Sequence, residues 1–501
     1  MAQLTSTITE NPQPELSGHP RGLSTLFFTE MWERFSYYGM RALLVLFMTA
    51  PLAGVHHGLG FDVEKSTAIY GLYTSLVYLT ALPGGWLADK LWGQRKAVFW
   101  GGAIIACGHF SLAIPSLPTF YLGLLLIVIG TGLLKPNVSV MVGDLYPEGG
   151  ARRDAGFSIF YMGINLGAFL GTILCGLIGE DYNFHWGFSL AGIGMVFGLI
   201  QYSLGGKRLG TVGNLKTSDP PAVVERRNRN FYLASAGIAI ALAAFGFLGF
   251  TGVLNVPIPE LAHWLGYAIL VLSGLFFLSL FLSPHLTSLE KKRVGVIVWL
   301  FLLSAVFWSG FEQAGSSMNL FARDLTNRSL GGWLMPASWL QNVNAIFIIL
   351  LAPVFGWVWT SLAAHKANPS TPAKFALGLF GLAGGFFVLS WGAANATEAS
   401  RVSMVWLVVT YFLHTVGELC LSPVGLSATT KLAPRGRTGE MMGLWFISIA
   451  LGNLIAGLVA GHMQELSPSA LFRSVAMFIG ATGAVALLVS PLVQRFGGNT
   501  D

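Results

Sequence analysis

The stretch FTEMWERFSYYGMRALL, from Phe28 to Leu44, places four charges in a run that is otherwise apolar enough to lie in a membrane. The four are Glu30, Glu33, Arg34 and Arg41. Each charge at a bilayer centre costs about 2.5 to 3.5 kcal/mol on insertion scales, so such residues persist where they face one another or water. The stretch predicts a membrane helix with a polar face turned away from lipid.

The spacing of the stretch supports this prediction. With about 100° of rotation per residue, Glu33, Arg34, Tyr37 and Arg41 all fall within about 60° of Glu30 on a helix. An alternative is that Glu30 and Arg34, four residues apart, form an ion pair that simply locks the bundle. Four charges along three turns are more than one such lock requires.

The composition places the whole chain in a membrane. It has 501 residues, of which 53% are hydrophobic and 10% charged, and its mean hydropathy is +0.64. Soluble domains carry about 25% charged residues, so a soluble globular protein is excluded. Because the N-terminus is polar, we expect no cleavable signal peptide. The lone Cys107, Cys175 and Cys420 are expected to serve packing.

Hydrophobic runs separated by polar breaks predict fourteen membrane helices. They lie at 24–50, 66–88, 97–114, 119–144, 155–178, 186–205, 230–253, 260–283, 294–323, 338–363, 373–393, 401–429, 439–462 and 469–494. The fold class is therefore all-α and integral to the membrane. The expected domains are an N-terminal tail (1–23), a six-helix bundle (24–206), a linker (207–229), an inserted hairpin (230–283), a second six-helix bundle (284–495) and a C-terminal tail (496–501).

The loops predict the orientation of the chain. Nineteen Lys and Arg residues occupy the loops on one side, against five on the other. Because cytoplasmic loops carry the excess of basic residues, the nineteen mark the cytoplasm, and both termini lie there. The net charge of +6 is thus a topology signal, and no nucleic-acid partner is expected.

Seven charges lie in the cores of the predicted helices, away from the helix ends: Glu30, Glu33, Arg34, Arg41, Lys135, Glu312 and Glu418. They comprise four acids and three bases. If every base pairs with an acid, one carboxylate is left over, and in a low dielectric it would take up a proton. We therefore hypothesise a proton-coupling element among them.

Three of these charges lie next to residues that permit a helix to bend. Lys135 precedes Pro136, Glu418 lies in GELCLSPVGLS, and Glu312 is bounded by small residues. Bends beside charges suit helices that move during transport, although such kinks are common in membrane helices.

Other polar and aromatic residues have two readings. Asn165 and Asn344 serve either helix–helix hydrogen bonds or ligand contacts. The histidines His109 and His414 are expected to be satisfied core residues. Aromatic residues such as Tyr78, Trp308 and Trp445 are usually packing.

Four motifs carry a resemblance to known families. GGWLADKLWGQRK, from Gly84 to Lys96, resembles a loop motif of the major facilitator superfamily, in which Asp89 and Arg95 can form a breakable ionic latch. EMWERFSYYG, FYMGINLGAFLG and GELCLSPVGLS resemble the signatures of the proton-coupled oligopeptide transporters. The resemblance spans Phe28 to about Pro491 and implies two six-helix bundles with an inserted hairpin.

The resemblance also implies roles for individual residues. It implies proton coupling by Glu30, Glu33, Arg34, Lys135 and Glu312, and gating by Arg41 with Glu312 and by Asp89 with Arg95. Arg41 and Lys135 would receive the carboxyl end of a peptide, and Glu418, with Asn165 and Asn344, its amino end. Tyr37, Tyr38, Tyr78, Trp308 and Trp445 would line side-chain pockets.

Two positions depart from the family pattern. Some relatives carry a functional histidine in the second helix after an Ile-Tyr pair, where this chain has Gly71 after Ile69 and Tyr70. Some carry two adjacent acids in the seventh bundle helix, where this chain has Phe311 and Glu312. The histidine route for protons is thus absent, and gate pairing rests on Glu312 alone.

The expected function is import of di- and tripeptides with protons by alternating access, in a bacterial inner membrane. The proton is the coupling ion, no cofactor or metal is expected, and the chain is expected to work as a monomer in the lipid bilayer. One alternative is a carrier of nitrate, glucosides or other small metabolites on the same fold. A second alternative is a membrane enzyme, but the sequence contains no HExxH motif and no nucleophile constellation to support it. A third is a channel, which differs from a carrier in that it cannot accumulate its solute against a gradient.

Overall fold

The computed structural model describes residues 15–16, 18–54, 57–215, 219–253 and 257–497. Residues 1–14 and 17 of the predicted N-terminal tail, 216–218 of the predicted linker and 498–501 of the predicted C-terminal tail lie outside the described residues.

The described residues form sixteen α-helices. These are α1 Gly22–Thr49, α2 Val63–Leu79, α3 Ala81–Leu87, α4 Gln94–Leu112, α5 Leu117–Asp144, α6 Gly150–Asp181, α7 Phe184–Gly205, α8 Pro221–Phe250, α9 Ile258–Leu282, α10 Ser288–Phe311, α11 Ser317–Asp324, α12 Asn342–Ala364, α13 Thr371–Ala393, α14 Val405–Leu432, α15 Thr438–Gly461 and α16 Pro468–Gly497.

Shorter helical turns and strands complete the chain. A π-helical turn spans Ala88–Trp92, and 3-10 turns span Gly206–Leu209, Glu312–Gly315, Ala337–Gln341 and His462–Gln464. The strands are β1 Glu15–Leu16, β2 His19–Pro20, β3 Thr326–Asn327, β4 Ser329–Leu330, β5 Trp333–Leu334 and β6 Val402–Ser403. β1 pairs antiparallel with β2 and β4 with β5, whereas β3 and β6 are parallel.

The prediction of fourteen membrane helices is confirmed. The helix α2 continues through α3, and α10 continues through a 3-10 turn into α11, so sixteen helices make fourteen crossings. Eleven helical segments are long and apolar enough to span a membrane by composition alone. The helix α1 is not one of them, because its buried charges lower its hydropathy.

Two predicted helices are broken where the sequence suggested continuity. The range predicted at 66–88 changes helix at Thr80, whose hydroxyl donates to the backbone oxygen of Val128 at 3.0 Å on α5. At Gly84, a Cβ would lie 2.0 Å from the backbone oxygen of Gly132. The broken helix thus packs backbone against backbone on α5. The range predicted at 294–323 tightens at Glu312–Gly315.

The helix predicted at 230–253 begins nine residues earlier than expected, because α8 starts at Pro221. Pro221 stands in the first helical turn, and the run ERRNRN after it contains no residue that stops a helix. Proline suits this position, since its missing N–H would be unpaired there anyway. The helix extends beyond its apolar part, and Arg227 donates to the backbone oxygen of Lys90 at 3.3 Å.

The helices form two halves, α1–α7 and α10–α16, with the α8–α9 hairpin beside them. In the first half α1 packs on α6 and α7, and α4 on α5 and α7; in the second, α13 packs on α14 and α16, and α10 on α15. The helix α2 crosses to pack on α15. A Cβ on Gly457 of α15 would lie 2.7 Å from the Cα of Gly71, so glycines permit this close approach.

Hydrogen bonds join the halves at one end. We call the end at which α1 begins and α16 finishes the terminal end. At the opposite end Asn319 donates to the backbone oxygen of Ala42 at 2.9 Å, and Arg323 to the hydroxyl of Thr49 at 2.7 Å. The indole of Trp339 donates to the backbone oxygen of a residue on α6 at 3.0 Å. The molecule is therefore closed at the opposite end.

Candidate functional site

The charged face predicted on α1 is buried. Glu30, Glu33 and Arg34 are at most 3% exposed. Arg34 donates to both carboxylate oxygens of Glu33, at 2.5 Å for Nη2 to Oε1, and its Nε lies 3.3 Å from Oε1 of Glu30. The second oxygen of Glu30 is buried and has no hydrogen-bond partner among the described residues. We call these three residues the α1 cluster.

A second ion pair joins the halves on the same face of α1. Arg41 pairs with Glu312 of the second half, and its Nε donates to the hydroxyl of Tyr70 at 2.6 Å. All three side chains are buried. A charged pair withdrawn from water depends on such extra hydrogen bonds, because desolvation offsets much of its attraction. We call Arg41, Tyr70 and Glu312 the outer lock.

Tyr38 lies between these two groups. The Cζ atom of Arg34 lies 5.9 Å from the centroid of its ring, and that of Arg41 lies 5.7 Å away. Both distances permit cation–π attraction. Tyr37 packs edge-on against Tyr38, with ring centroids 5.2 Å apart, and itself lies 5.1 Å from Arg34. One aromatic pair therefore connects the α1 cluster to the outer lock.

Lys135 contacts an aromatic ring rather than a carboxylate. Its Nζ lies 4.0 Å from the ring centroid of Tyr78, and no carboxylate oxygen lies within the 4.0 Å of a salt bridge among the described residues. The charges of Glu30, Glu33 and Arg34 reach it electrostatically. The count of four acids against three bases supposed that each base pairs with an acid. Lys135 does not form such a pair among the described residues. The lysine is half-buried, as expected of a residue open to a ligand.

Glu418 forms an acidic pole on the second half. Asn344 of α12 donates to Oε2 of Glu418 at 3.1 Å and to the hydroxyl of Thr415 at 2.9 Å. Both Asn344 and Glu418 are half-buried. Asn344 thus forms the helix–helix hydrogen bonds of its first reading, and its role as a ligand contact stays a prediction.

The remaining predicted residues divide between the site and the packing. Asn165 bonds to the backbone oxygen of Tyr161 on its own helix at 3.0 Å and is half-buried. Trp445 is buried against Gly425, where a Cβ would lie 2.1 Å from its ring. Trp308 is buried against Phe311, with ring centroids 5.3 Å apart. In this structure both indoles pack within the second half.

The predicted latch between Asp89 and Arg95 is not formed. Arg95 donates to the backbone oxygens of Val212 at 2.7 Å and Gly210 at 2.6 Å, and Asp89 instead accepts a hydrogen bond from Gln94 at 2.9 Å. The turn after α7 offers carbonyl groups directly opposite α4. These acceptors hold Arg95 at the surface of the first half.

The expectation for the two histidines also fails in part. Both ring nitrogens of His109, and Nε2 of His414, are buried without a hydrogen-bond partner among the described residues. The ring of His414 packs against Phe386, with 4.7 Å between the ring centroids. The three cysteines are free.

Sequence reasoning missed several residues of the site. In the sequence Tyr70 stands out only as the residue before Gly71, and Gly315 only as one of the small residues after Glu312, so neither context predicts their contact. Tyr161, about half exposed, lies within electrostatic reach of Glu418. Glu180, at the end of α6, accepts hydrogen bonds from the backbone N–H groups of the 3-10 turn Ala337–Gln341 in the second half.

Two helical halves that enclose buried charges and close at one end define a membrane carrier of small solutes. The POT family model matches residues 95–474 of this chain. The chain belongs to the POT family, and its fold is that of the major facilitator superfamily. This is a family of transporters, so the enzyme alternative is excluded.

Individual relatives agree with this assignment. The chain is 41% identical to "Peptide transporter YePEPT" of Yersinia enterocolitica, over 97% of this chain and 96% of the relative. It is 36% identical to a "Di-/tripeptide transporter" of Lactococcus lactis subsp. cremoris, over 96% and 97%. A crystal structure of a variant of peptide transporter POT in complex with alafosfalin superposes with a TM-score of 0.87 at 40% identity, covering 97% of each chain.

Proposed function

We propose that the protein imports di- and tripeptides with protons by alternating access. The main support is that the two halves place opposite charges at half-buried positions. These are Lys135 on the first half and Glu418 on the second. A short peptide is a zwitterion, so its site needs a cationic and an anionic pole. Binding across two halves is also what alternating access requires.

The comparisons support a peptide as the substrate. Two relatives that match over nearly their whole length are named a peptide transporter and a di-/tripeptide transporter. Because the match covers at least 96% of each relative, we assign the same class of substrate to this chain.

In this proposal the poles orient the peptide. Lys135 and Arg41 receive the carboxylate, and Glu418, held by Asn344 with Asn165 nearby, receives the ammonium. The walls are aromatic: Tyr37, Tyr38 and Tyr78 in the first half, with Trp308 and Trp445 reaching the cavity as the second half moves. Aromatic walls accept different side chains because their contacts are largely non-directional.

Proton coupling is assigned to the α1 cluster together with Lys135 and Glu312. A proton on Glu30 or Glu33 would weaken the hold of that acid on Arg34, whose guanidinium faces Tyr38. Tyr38 also faces Arg41, so the change would reach the outer lock. A peptide carboxylate that attracts Arg41 competes with Glu312 for the same guanidinium. Proton and peptide thereby act on one ion pair.

We also propose an orientation of the chain in the membrane and an organisation of its moving parts. The terminal end is assigned to the cytoplasm of a bacterial inner membrane, with both chain ends there, because its loops carry most of the Lys and Arg residues. The outer lock then closes the external side. The units 24–206 and 284–495 would move against each other, with the hairpin at 230–283, and one chain would suffice for transport. Asp89 and Arg95 would meet only in another conformation.

The test is uptake of labelled dialanine into proteoliposomes with an imposed inward proton gradient. We expect accumulation that trialanine inhibits and that Lys135→Ala abolishes, whereas Lys96→Ala, which removes an exposed charge from the first half, leaves uptake unchanged. Uptake indifferent to both the gradient and trialanine would refute the function, and normal accumulation by Lys135→Ala would refute the role of Lys135.

A further inference from the structure

A cavity separate from the central site lies at the terminal end of the second half. It is about 530 Å³ in volume and is enclosed by α12, the start of α13 and the ends of α14 and α16. Its lining includes Trp359, Ser370, Lys374, Pro423 and Lys431.

The cavity is basic. Lys374 is only 9% exposed, and its Nζ lies 4.4 Å from the ring centroid of Trp359. Lys431 also lines the cavity and is exposed. Two ammonium groups that line one cavity favour an anion, because a single negatively charged oxygen group attracts both of them.

The surroundings of the cavity are apolar on the outer side. Leu350, Val354 and Trp357 of α12 are 60%, 48% and 68% exposed beside the residues that line it. On a membrane-spanning helix, exposed side chains of this kind lie against lipid. A ligand of the cavity therefore meets ammonium groups at one end and a hydrocarbon-facing wall at the other.

We propose that this cavity binds the phosphate headgroup of an anionic phospholipid from the adjoining leaflet. Basic pockets between membrane helices bind such headgroups, and the exposed wall of α12 provides a path for the acyl chains. A soluble anion would use the lysines but would gain nothing from that wall.

The cavity adjoins the helix that carries Glu418 of the central site. Leu419 and Pro423 of α14 line the cavity, and Glu418 of the acidic pole is adjacent to Leu419 in the chain. Because Pro423 interrupts the hydrogen bonding of α14, this part of the helix bends at lower cost. A lipid bound between α12 and α14 would therefore contact the part of α14 that follows Glu418.

Lipid binding is tested directly by native mass spectrometry of the purified full chain with phosphatidylglycerol or phosphatidylcholine. We expect one strongly retained phosphatidylglycerol, weakened about fivefold for each lysine removed in Lys374→Met and Lys431→Ala. Lys374→Arg and the remote Lys96→Ala should retain it. Because Lys431 is exposed, its substitution tests the site without disturbing the core.

Three results would overturn the proposal. They are equal retention of phosphatidylglycerol by all variants, equal retention of phosphatidylcholine by the wild-type chain, and complete displacement of the lipid by millimolar inorganic phosphate. The last would identify a soluble anion as the occupant. Since binding is measured without transport, these outcomes are independent of which solute the protein carries.

Discussion

A Cβ atom on Gly315 would lie 2.0 Å from the hydroxyl oxygen of Tyr70. The glycine ends the 3-10 turn that begins at Glu312, and the tyrosine stands on α2 of the other half. The same hydroxyl accepts the hydrogen bond from Arg41. The turn in α10–α11 thus brings the backbone of one half against the tyrosine that holds the outer lock.

We predict that Gly315→Ala opens the outer lock. The added methyl group displaces Tyr70 and breaks its hydrogen bond to Arg41, and a hydrogen bond to a charged group is worth about 1.5 to 3 kcal/mol. Proton-driven uptake should fall by about tenfold or more. The control is Gly295→Ala on α10, where a Cβ meets no atom within 4 Å. Equal uptake by both variants would mean that Tyr70 does not hold the lock.

We predict that Glu180→Gln shifts the protein away from the state closed at the opposite end. The two carboxylate oxygens of Glu180 accept from the backbone N–H groups of Ala337 at 2.7 Å and Ser338 at 2.9 Å. An amide retains one acceptor, so one charge-assisted bond across the halves is lost. The distance between spin labels at the exposed positions 52 and 329 should lengthen in a larger fraction of molecules.

The matched control for this experiment is Glu398→Gln, in the exposed loop before α14. Both variants are measured in a chain whose three cysteines have been replaced. If Glu180→Gln and Glu398→Gln gave the same distance distribution, Glu180 would be a local cap without influence on the closed state.

We predict that Glu418→Gln weakens transport only of substrates that carry an amino group. Its half-buried carboxylate has an amide partner, Asn344, and so remains available to an ammonium. Uptake of dialanine should fall by about tenfold or more, as for loss of a charged hydrogen bond. N-acetyl-dialanine has no ammonium group, so the concentration at which it inhibits the remaining uptake should be unchanged. Equal losses for both compounds would place Glu418 in proton coupling instead.

We predict that, in the conformation closed at the opposite end, Arg95 stabilises the first half through backbone oxygens and not through Asp89. Arg95→Ala removes two hydrogen bonds to backbone oxygens after α7 and should lower the free energy of unfolding by about 1 to 2 kcal/mol, since these bonds are partly exposed. Thermal unfolding in detergent measures this loss. Asp89→Asn should change little, and the double variant should be additive. Strong coupling between the two positions would restore the latch.

Sequence predicted the helices well because long apolar runs leave few alternatives in a membrane. It missed the break at Thr80, where Pro83 lacks the N–H that would bond to the backbone oxygen of Leu79. It also missed the turn at Glu312–Gly315, where tertiary contacts decide whether a helix continues. It also failed at the start of α8, because hydropathy detects the apolar part of a helix and ignores a charged extension. The basic residues from Arg226 to Arg229 therefore looked like a linker although they are helical.

For the candidate site, the sequence likewise predicted features within one helix and missed contacts between helices. Periodicity alone placed Glu30, Glu33, Arg34 and Arg41 on one face, since that face lies within one helix. Packing sets which residues meet across helices. Spacing in the sequence therefore could not predict that Lys135 contacts Tyr78 or that Arg95 donates to backbone oxygens. Family resemblance suggested the pairing of Arg41 with Glu312, which the structure contains.

The prolines that lie beyond the first turn of a helix are distributed unequally among the described helices. Within single helices the first half has one, Pro136 of α5, with Pro83 at the junction of α2 and α3, whereas the second has Pro353, Pro423 and Pro491 on α12, α14 and α16. The first half is also tied at its terminal end by Arg95. Each internal proline lowers the cost of bending. The two halves should therefore deform unequally during a cycle: distances measured within the first would stay nearly constant, and those within the second would change.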